Sequence, residues 1–309
     1  MKIHNGYDNL KLRNPVVTMG TFDGVHRGHR MVLERLIRRA KETGGESVVI
    51  TFFPHPRQVL AGSDTPIPLL STPAEKARLL EEAGIDHLIV ISFDHEFSNK
   101  EACSFVEEVL AGRIGARHLI VGFNHHFGRR GEGDFVTIRE CAEKFSMTVE
   151  MIDPLISGDH IVSSSVIRDA LAGGMTSLAN ELLGYPYSLD GTIVAGKKLG
   201  RIIGFPTANI KPGNPDKLIP MDGVYAVEVV FGNKRHKGVM SIGFNPTVEK
   251  ERRERTIEVN IFDFDNEVYG LPVTIIFRHR LRDELKFDDL ETLAGQIALD
   301  KKRAMDLLT

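Results

Sequence analysis

The chain has 309 residues, 42% of them hydrophobic, with a formal net charge of −3 at pH 7. The length sets a prior of about two domains with sizeable cores. From Tyr185 onward there are 19 Lys and Arg against 18 Asp and Glu, so neither half is basic and a dedicated nucleic-acid protein is disfavoured. The N-terminus has no basic segment followed by an apolar one, and no uncharged apolar run approaches the ~20 residues that span a bilayer. Cys103 and Cys141 have no CxxC context and no metal-type spacing. Two unpaired thiols in a reducing, cytoplasmic setting are therefore expected.

In chain order, apolar runs of strand length fall at 15–19, 47–53, 87–92, 118–123 and 148–152. Helix-like stretches lie between them at 29–43, 73–83, 101–111 and 135–145. Continuous rather than alternating apolar strands imply burial on both faces. The alternation of strand and helix then predicts an α/β domain built on a parallel sheet with helices on both faces. Such sheets bind ligands at the carboxyl ends of their strands. Two short helices with a Gly173-Gly174 stop between them lead to Gly184 and Pro186, which places a domain boundary near 184. Beyond it strand-like runs dominate, at 187–194, 223–231, 236–243, 255–264 and 271–278. Turn signals at Gly232-Asn233 and Asp265-Asn266 read as hairpins. One amphipathic helix over 287–308 closes the chain, and an antiparallel β-barrel with a terminal helix fits this half best.

The string "TMGTFDGVHRGH" (18–29) runs from the end of the first apolar strand into the first helix. Gly20, Gly24 and Gly28 permit tight turns and close approach of a ligand to the backbone. A helix N-terminus there favours phosphate. A spacing of three lets His26 and His29 aim both imidazoles at one point, where they could stabilise charge on a transferring phosphate. The bland alternative is a chance HxGH on a solvated helix end. Placement directly after the first strand of an α/β half favours function.

The second distinctive string is "GKKLGRIIGFPTAN" (196–209). Gly196, Gly200 and Gly204 punctuate a basic loop, and Lys197, Lys198 and Arg201 suit polyphosphate. It lacks GxxxxGK[ST] and so is not a Walker A loop. In extended backbone Thr207 and Asn209 share a face and offer hard oxygens suited to Mg²⁺, although a Gly/Pro-rich turn with Asn209 bonding its own backbone is comparable on pattern alone. Glu258 is a lone carboxylate within the apolar strand "TIEVNIFDF". Burial would raise its pKa and suit it to act as base or orienter for a hydroxyl, while strand alternation also allows it a solvent-facing position.

These motifs together resemble the prokaryotic bifunctional riboflavin kinase/FAD synthetase family over nearly the whole chain. "GTFDGVHRGH" looks like that family's adenylyltransferase module, which is Rossmann-like, with Phe22 and Asp23 inside the motif. "TFFPHP" (51–56) resembles its second-strand motif, and the resemblance places Phe53 and Pro54 near flavin. "VSSSVIR" (162–168) resembles its serine-rich motif, in which Ser164, Ser165 and Arg168 would hold phosphate. Helix capping by Ser163–Ser165 is the structural alternative and is compatible with that role. "VGFNHHFGRRGEGD" (121–134) departs from the family pattern. Asn124, Phe127, Gly128, Gly133 and Asp134 match, His125 stands where an aromatic is usual, and Arg129 and Arg130 come slightly early. The resemblance puts Asn124 near phosphate and Phe127 near flavin. A metal on His125 and His126 is disfavoured, because adjacent residues rarely converge on one ion.

"GKKLGRIIGFPTAN" resembles the flavokinase signature, which implies that Thr207 and Asn209 help hold Mg²⁺-nucleotide and that Glu258 is the catalytic glutamate. "GVYAV" (223–227), "SIGFNPTV" (241–248) and "FRHRLRDELKF" (277–287) also look like that family. The last implies a lid in which Arg282 and Glu284 meet flavin. The resemblance implies phosphorylation of riboflavin to FMN by residues 185–309 and adenylylation of FMN to FAD by residues 1–184. ATP and Mg²⁺ serve both steps. The implied partners are riboflavin, FMN and ATP, with no nucleic acid and no membrane, in a cytoplasmic monomer or weakly self-associating protein. Two readings from other classes stand beside it: one active module with the other kept as scaffold, and a non-catalytic flavin or nucleotide sensor.

Overall fold

The computed structural model describes residues 1–60, 67–195, 204–244, 255–264 and 268–308. Two compact units divide between Ser164 and Ser165.

The first unit holds a six-stranded sheet of β1 (Lys2–Asn5), β2 (Val16–Met19), β3 (Ser47–Phe53), β4 (His87–Ser92), β5 (His118–Gly122) and β6 (Thr148–Ile152), in the order β1-β4-β3-β2-β5-β6. Every neighbouring pair is parallel. The central strands are mostly apolar and buried along most of their length, as continuous hydrophobic runs require. The chain leaves β2 toward one edge of the sheet through β3 and β4, then returns to the other side of β2 with β5. The strand order thus reverses beside β2, and the crevice at its carboxyl end is where an open α/β sheet takes a ligand. The stretch 20–29 follows β2 directly. Strand β1 is absent from the sequence reading, because "KIHN" has one apolar residue, Ile3, and that side chain is exposed.

The helices of this unit are α1 (Arg27–Glu42), α2 (Pro56–Leu60), α3 (Pro73–Glu82), α4 (His95–Ser98), α5 (Ala102–Phe105), which continues as a π-wound turn over Val106–Ile114, and α6 (Phe135–Glu143). Helix α1 buries Val32, Leu33, Leu36 and Ala40, an apolar stripe at helical spacing. Helix α3 starts in a complete capping box: Thr72 Oγ1 accepts from the Glu75 N–H, and the Glu75 carboxylate accepts from the Thr72 N–H. Cys103 and Cys141 are joined in a disulfide, with Cα atoms 5.4 Å apart, in place of the two free thiols expected from sequence. Packing of α5 against α6 brings them together, a proximity that spacing along the chain does not reveal. A two-stranded hairpin, β7 (Ile156–Ser157) and β8 (His160–Ile161), precedes the division.

The second unit contains α7, which begins at Ser164 and runs to Ala172, and α8 (Thr176–Leu183), followed by a closed antiparallel barrel. Its strands are β9 (Ser188–Val194), β10 (Ala208–Pro212), β11 (Gly223–Phe231), β12 (Lys234–Phe244), β13 (Arg255–Ile261) and β14 (Pro272–Arg282), closing in the order β10-β13-β12-β11-β14-β9. Closure pairs every strand on both sides and leaves no open sheet edge. The units divide ahead of the boundary read near 184 because the two helices bond to the barrel. The Met221 N–H donates to the Leu171 carbonyl (3.0 Å), and the Asn180 side chain donates to the Phe277 carbonyl (2.9 Å) and accepts from the Tyr187 N–H (2.7 Å). The Gly232-Asn233 turn joins β11 to β12 as expected. The turn expected at Asp265-Asn266 lies outside the described residues. Strand β10 carries no strand signature in the sequence, since its pattern mixes Ala208, Asn209, Lys211 and Pro212 with a single buried Ile210.

The terminal helix α9 (Leu290–Leu307) packs on β11, β12 and β14 and buries Asp300 and Ala304. Asp300 takes a forked ion pair from Arg282 of β14 (2.7–3.1 Å), with side-chain exposures of 6% and 18%. Removing one member of such a pair strands a buried charge. Asp300→Ala is expected to destabilise the barrel by about 3 kcal/mol, read as a lower midpoint of its urea transition. An unchanged midpoint would show that the pair contributes nothing.

Candidate active site

The turn after β2 is strained and tightly held. Phe22, Gly24 and Val25 all take positive φ (46°, 81° and 37°), a conformation disfavoured for the two residues that carry side chains. Asp23 compensates. Its buried carboxylate accepts from the Leu70 N–H (3.0 Å), the Ser71 N–H (2.9 Å) and the Ser71 hydroxyl (3.2 Å), while the Gly24 N–H donates to Ser71 Oγ (2.8 Å). The Ser164 hydroxyl donates to the Asp23 carbonyl (2.9 Å). Asp23 therefore shapes the turn from inside, and Ser164 ties the start of α7 to it.

His26 is the N-cap of α1, and its Nδ1 accepts the His29 backbone N–H at 3.2 Å. With Nδ1 an acceptor, the neutral ring carries its proton on Nε2 and can donate there. The rings of His26 and His29 stack, with centroids 3.6 Å apart and planes 16° apart, and Phe22 lies 5.0 Å from His29. Gly28 leaves little room between them. A Cβ there would sit 3.2 Å from His26 Nδ1 and 3.3 Å from the Val162 carbonyl. Burial holds His29 well below the ordinary imidazole pKa, and His26 and Lys76 push the same way. His29 is thus a neutral donor beside His26 at a helix N-terminus, and the stacking preorganises the pair.

Sequence reasoning missed the residues behind this turn. Thr51 of β3 donates to the Thr21 carbonyl (3.2 Å), and the Lys76 ammonium donates to Thr51 Oγ1 (3.2 Å). A signal existed in "STPAEK": the capping box fixes the start of α3 and so fixes where Lys76 falls.

In the barrel, Asn209 of β10 lies directly opposite Glu258 of β13, and Ser241 of β12 faces Glu258 from the other side. Thr207 donates its hydroxyl proton to Glu258 Oε2 (3.3 Å). The Asn260 side chain donates to the Pro206 carbonyl (2.7 Å) and anchors the segment that carries Thr207. Cross-strand register, invisible along the sequence, unites three residues separated by 51 positions. Half-buried Glu258 offers a carboxylate, and Thr207 and Asn209 offer neutral oxygens, a set that fits a hard divalent cation completed by nucleotide phosphates. Among the described residues no cluster of three His, Cys, Asp or Glu side chains could hold a metal by itself. Gly196, Lys197, Gly200 and Arg201 lie outside the described residues, while Gly204 is described, with φ +83°.

Comparison with known proteins decides the family. An FAD synthetase family model matches residues 8–166 and a riboflavin kinase model matches residues 183–308. A bifunctional riboflavin kinase/FMN adenylyltransferase of Bacillus subtilis (strain 168) is 38% identical over 292 residues, covering 94% of this chain and 91% of that one. The Escherichia coli (strain K12) protein of the same description is 35% identical over 310 residues, covering 99% and 97%. The chain belongs to the bifunctional riboflavin kinase/FMN adenylyltransferase family. A solved structure described as a macrolide-efflux protein from Streptococcus pneumoniae shares the whole fold, with a TM-score of 0.88, 29% identity and 98% coverage of both chains. That description stays with that protein. In the present chain no helix among the described residues is long and apolar enough to cross a membrane.

This family membership gives the chain an FAD synthetase domain followed by a riboflavin kinase domain, and ATP-using enzymes of both kinds normally need a divalent metal. Within the FAD synthetase domain, Phe53 and Pro54 sit at the end of β3 with the Phe53 ring half exposed, and Asn124 is exposed in a turn closed by the His125 N–H and Gly122 carbonyl (3.1 Å). Phe127 packs into the core against Phe105, so its ring supports the loop from beneath. His125 stacks on Phe127 with planes 17° apart and centroids 5.8 Å apart. Burial, then His126, pushes its pKa down to about 4. The imidazole therefore stays neutral near pH 7 and fills the place of a family aromatic as an apolar ring. His125→Phe is expected to preserve FAD formation and the melting temperature, and a severe loss of activity would show that the imidazole nitrogens are used. Glu284, by contrast, is packed against Gly243 with its pKa raised by burial and by Asp222, and Arg282 is committed to Asp300. The Arg282 guanidinium is thus occupied within the barrel.

Proposed function

We propose that residues 185–309 transfer the γ-phosphoryl group of ATP to the ribityl hydroxyl of riboflavin, and that residues 1–184 join AMP from ATP to the resulting FMN. The functional division at 184 keeps Ser164, Ser165 and Arg168 with the adenylyltransferase. In the kinase, Glu258 orients the hydroxyl and accepts its proton, while Thr207 and Asn209 would hold Mg²⁺. The ion supplies charge neutralisation for the nucleotide phosphates. The loop carrying Gly196, Lys197, Gly200, Arg201 and Gly204 binds polyphosphate, and Glu284 contacts flavin.

In the adenylyltransferase an FMN phosphate oxygen attacks the α-phosphorus of ATP and pyrophosphate leaves. No covalent enzyme adduct is required. His26 donates from Nε2, and His29 beside it stabilises charge on the transferring and leaving phosphates. Gly20, Gly24 and the α1 N-terminus cradle phosphate. Ser164, Ser165 and Arg168 add phosphate contacts, Asn124 a polar one, and Phe53 and Pro54 a flavin platform. Phe22 and Asp23 act by holding the turn, and Phe127 by holding the loop. The protein works in the cytoplasm as a monomer or weak self-associate, without nucleic acid or membrane.

The observation that carries this reading is that one chain holds both constellations, the stacked His26–His29 pair at a helix N-terminus and the Thr207–Asn209–Glu258 set across three barrel segments. Purified protein with riboflavin, ATP and Mg²⁺ is expected to yield FMN and then FAD. FMN accumulating without FAD under all conditions would overturn the adenylyltransferase half.

A further inference from the structure

Lys76 belongs to neither the HxGH string nor the serine-rich string, yet it is 9% exposed beneath the turn that carries the histidines. Its ammonium donates to Thr51 Oγ1, and the Thr51 hydroxyl donates in turn to the Thr21 carbonyl at the head of that turn. The segment leading into the same helix is sewn to the turn a second time, through the Asp23 carboxylate on the Leu70 and Ser71 N–H groups. A cation with a long flexible stem is rarely buried without purpose, and an apolar side chain would fill this space without the desolvation cost.

We propose that Lys76 is a positioning residue for adenylyl transfer: its buried ammonium, hydrogen-bonded to Thr51, whose hydroxyl in turn holds the Thr21 carbonyl, fixes the shape of the turn that presents His29. This rests on the adenylyltransferase reading of His26 and His29. The electrostatics agree with the geometry. Among the described residues, the charged or titratable groups that act on His29 are His26 on its own helix and Lys76 from α3. Asp23 is the group that acts on Lys76, opposing the burial that lowers its pKa to about 8. Burial is the largest cause of the lowered His29 pKa and the Lys76 cation adds to it, so His29 stays neutral and able to donate one hydrogen bond without carrying charge into the site. The sign is fixed: neutralising Lys76 raises the pKa of His29.

The test compares Lys76→Met, which keeps the stem and removes the charge, with Lys76→Arg, which keeps the charge at all accessible pH. Histidine titration by NMR on the full-length protein reads His29 without turnover, its signal assigned by its loss in His29→Asn. Lys76→Met is expected to move the His29 titration to higher pH and to carry the acid limb of FAD formation from FMN and ATP upward with it. Lys76→Arg should restore both to wild-type positions. Wild-type FAD formation should also fall through pH about 8, as Lys76 loses its proton and its charge-assisted hold on Thr51 and the turn weakens, and Lys76→Arg should push that alkaline limb higher. If Lys76→Met fails to fold, the alkaline limb of Lys76→Arg decides alone. A His29 titration and pH profile unchanged in Lys76→Met, or an alkaline limb unmoved in Lys76→Arg, would overturn the proposal and leave Lys76 as packing. Because the titration needs no turnover, its failure is separable from failure of the adenylyltransferase reading, which His29→Ala tests.

Discussion

Glu258→Ala is expected to abolish FMN formation from riboflavin while FAD formation from supplied FMN continues at the wild-type rate. Glu258 is the one carboxylate that register sets opposite Asn209 and that Thr207 reaches at 3.3 Å. Removing a positioned general base costs on the order of 10²–10⁴ in rate. It also leaves the Thr207 hydroxyl without its acceptor, which loosens one of the two side chains offered to the cation. Glu258→Gln separates these effects. It keeps the size and a hydrogen-bond acceptor but cannot take a proton, so a loss matching that of Glu258→Ala assigns the effect to the carboxylate as base. Survival of the second reaction follows from the two compact units, because Glu258 lies in β13 and the histidines lie in the sheet unit. Rates of both reactions are read by separating FMN and FAD chromatographically. Equal loss of both would contradict separate sites.

His29→Ala is the mirror experiment. FAD formation from FMN should fall by roughly 10²–10³, the usual cost of deleting one preorganised donor to a charge-developing transition state. FMN formation should be unchanged. The stacked geometry sharpens this expectation. His29 sits 3.6 Å from His26 with near-parallel rings, so truncation also removes the surface that holds His26 upright. His29→Asn keeps a polar group but not the ring, and it should recover little. Should His29 be no more than a solvated helix-end residue, His29→Ala would leave FAD formation within a few-fold of wild type.

Much of the fold was legible in the sequence. Continuous apolar runs separated by helical periodicity predicted the parallel sheet, and the interior strands β2 through β5 fall close to where those runs lie. The strands that escaped, β1 and β10, carry few apolar residues. Their strand character comes from backbone pairing with a neighbour, which composition does not record. The HxGH turn and the PTAN string stood out in the sequence for a different reason. Glycine at tight turns, histidine at a helix start and hard oxygens two residues apart are local patterns, each confined to a few residues.

What the sequence could not supply was everything that depends on who lies across from whom. It offered Asp23 as a ligand contact, whereas folding turns that carboxylate inward onto Leu70 and Ser71. It offered Arg282 to flavin, whereas α9 brings Asp300 to it. It left His125 as an anomaly, and stacking on Phe127 makes the ring a neutral aromatic. It read two free thiols, whereas the packing of two helices joins Cys103 to Cys141. By itself the sequence determined the secondary-structure rhythm and the two domain types, because periodicity and turn chemistry act over a few residues. The tertiary structure alone decided the partners of each charged side chain, the Glu258 register and the buried place of Lys76, because pairing and burial are set by residues distant along the chain.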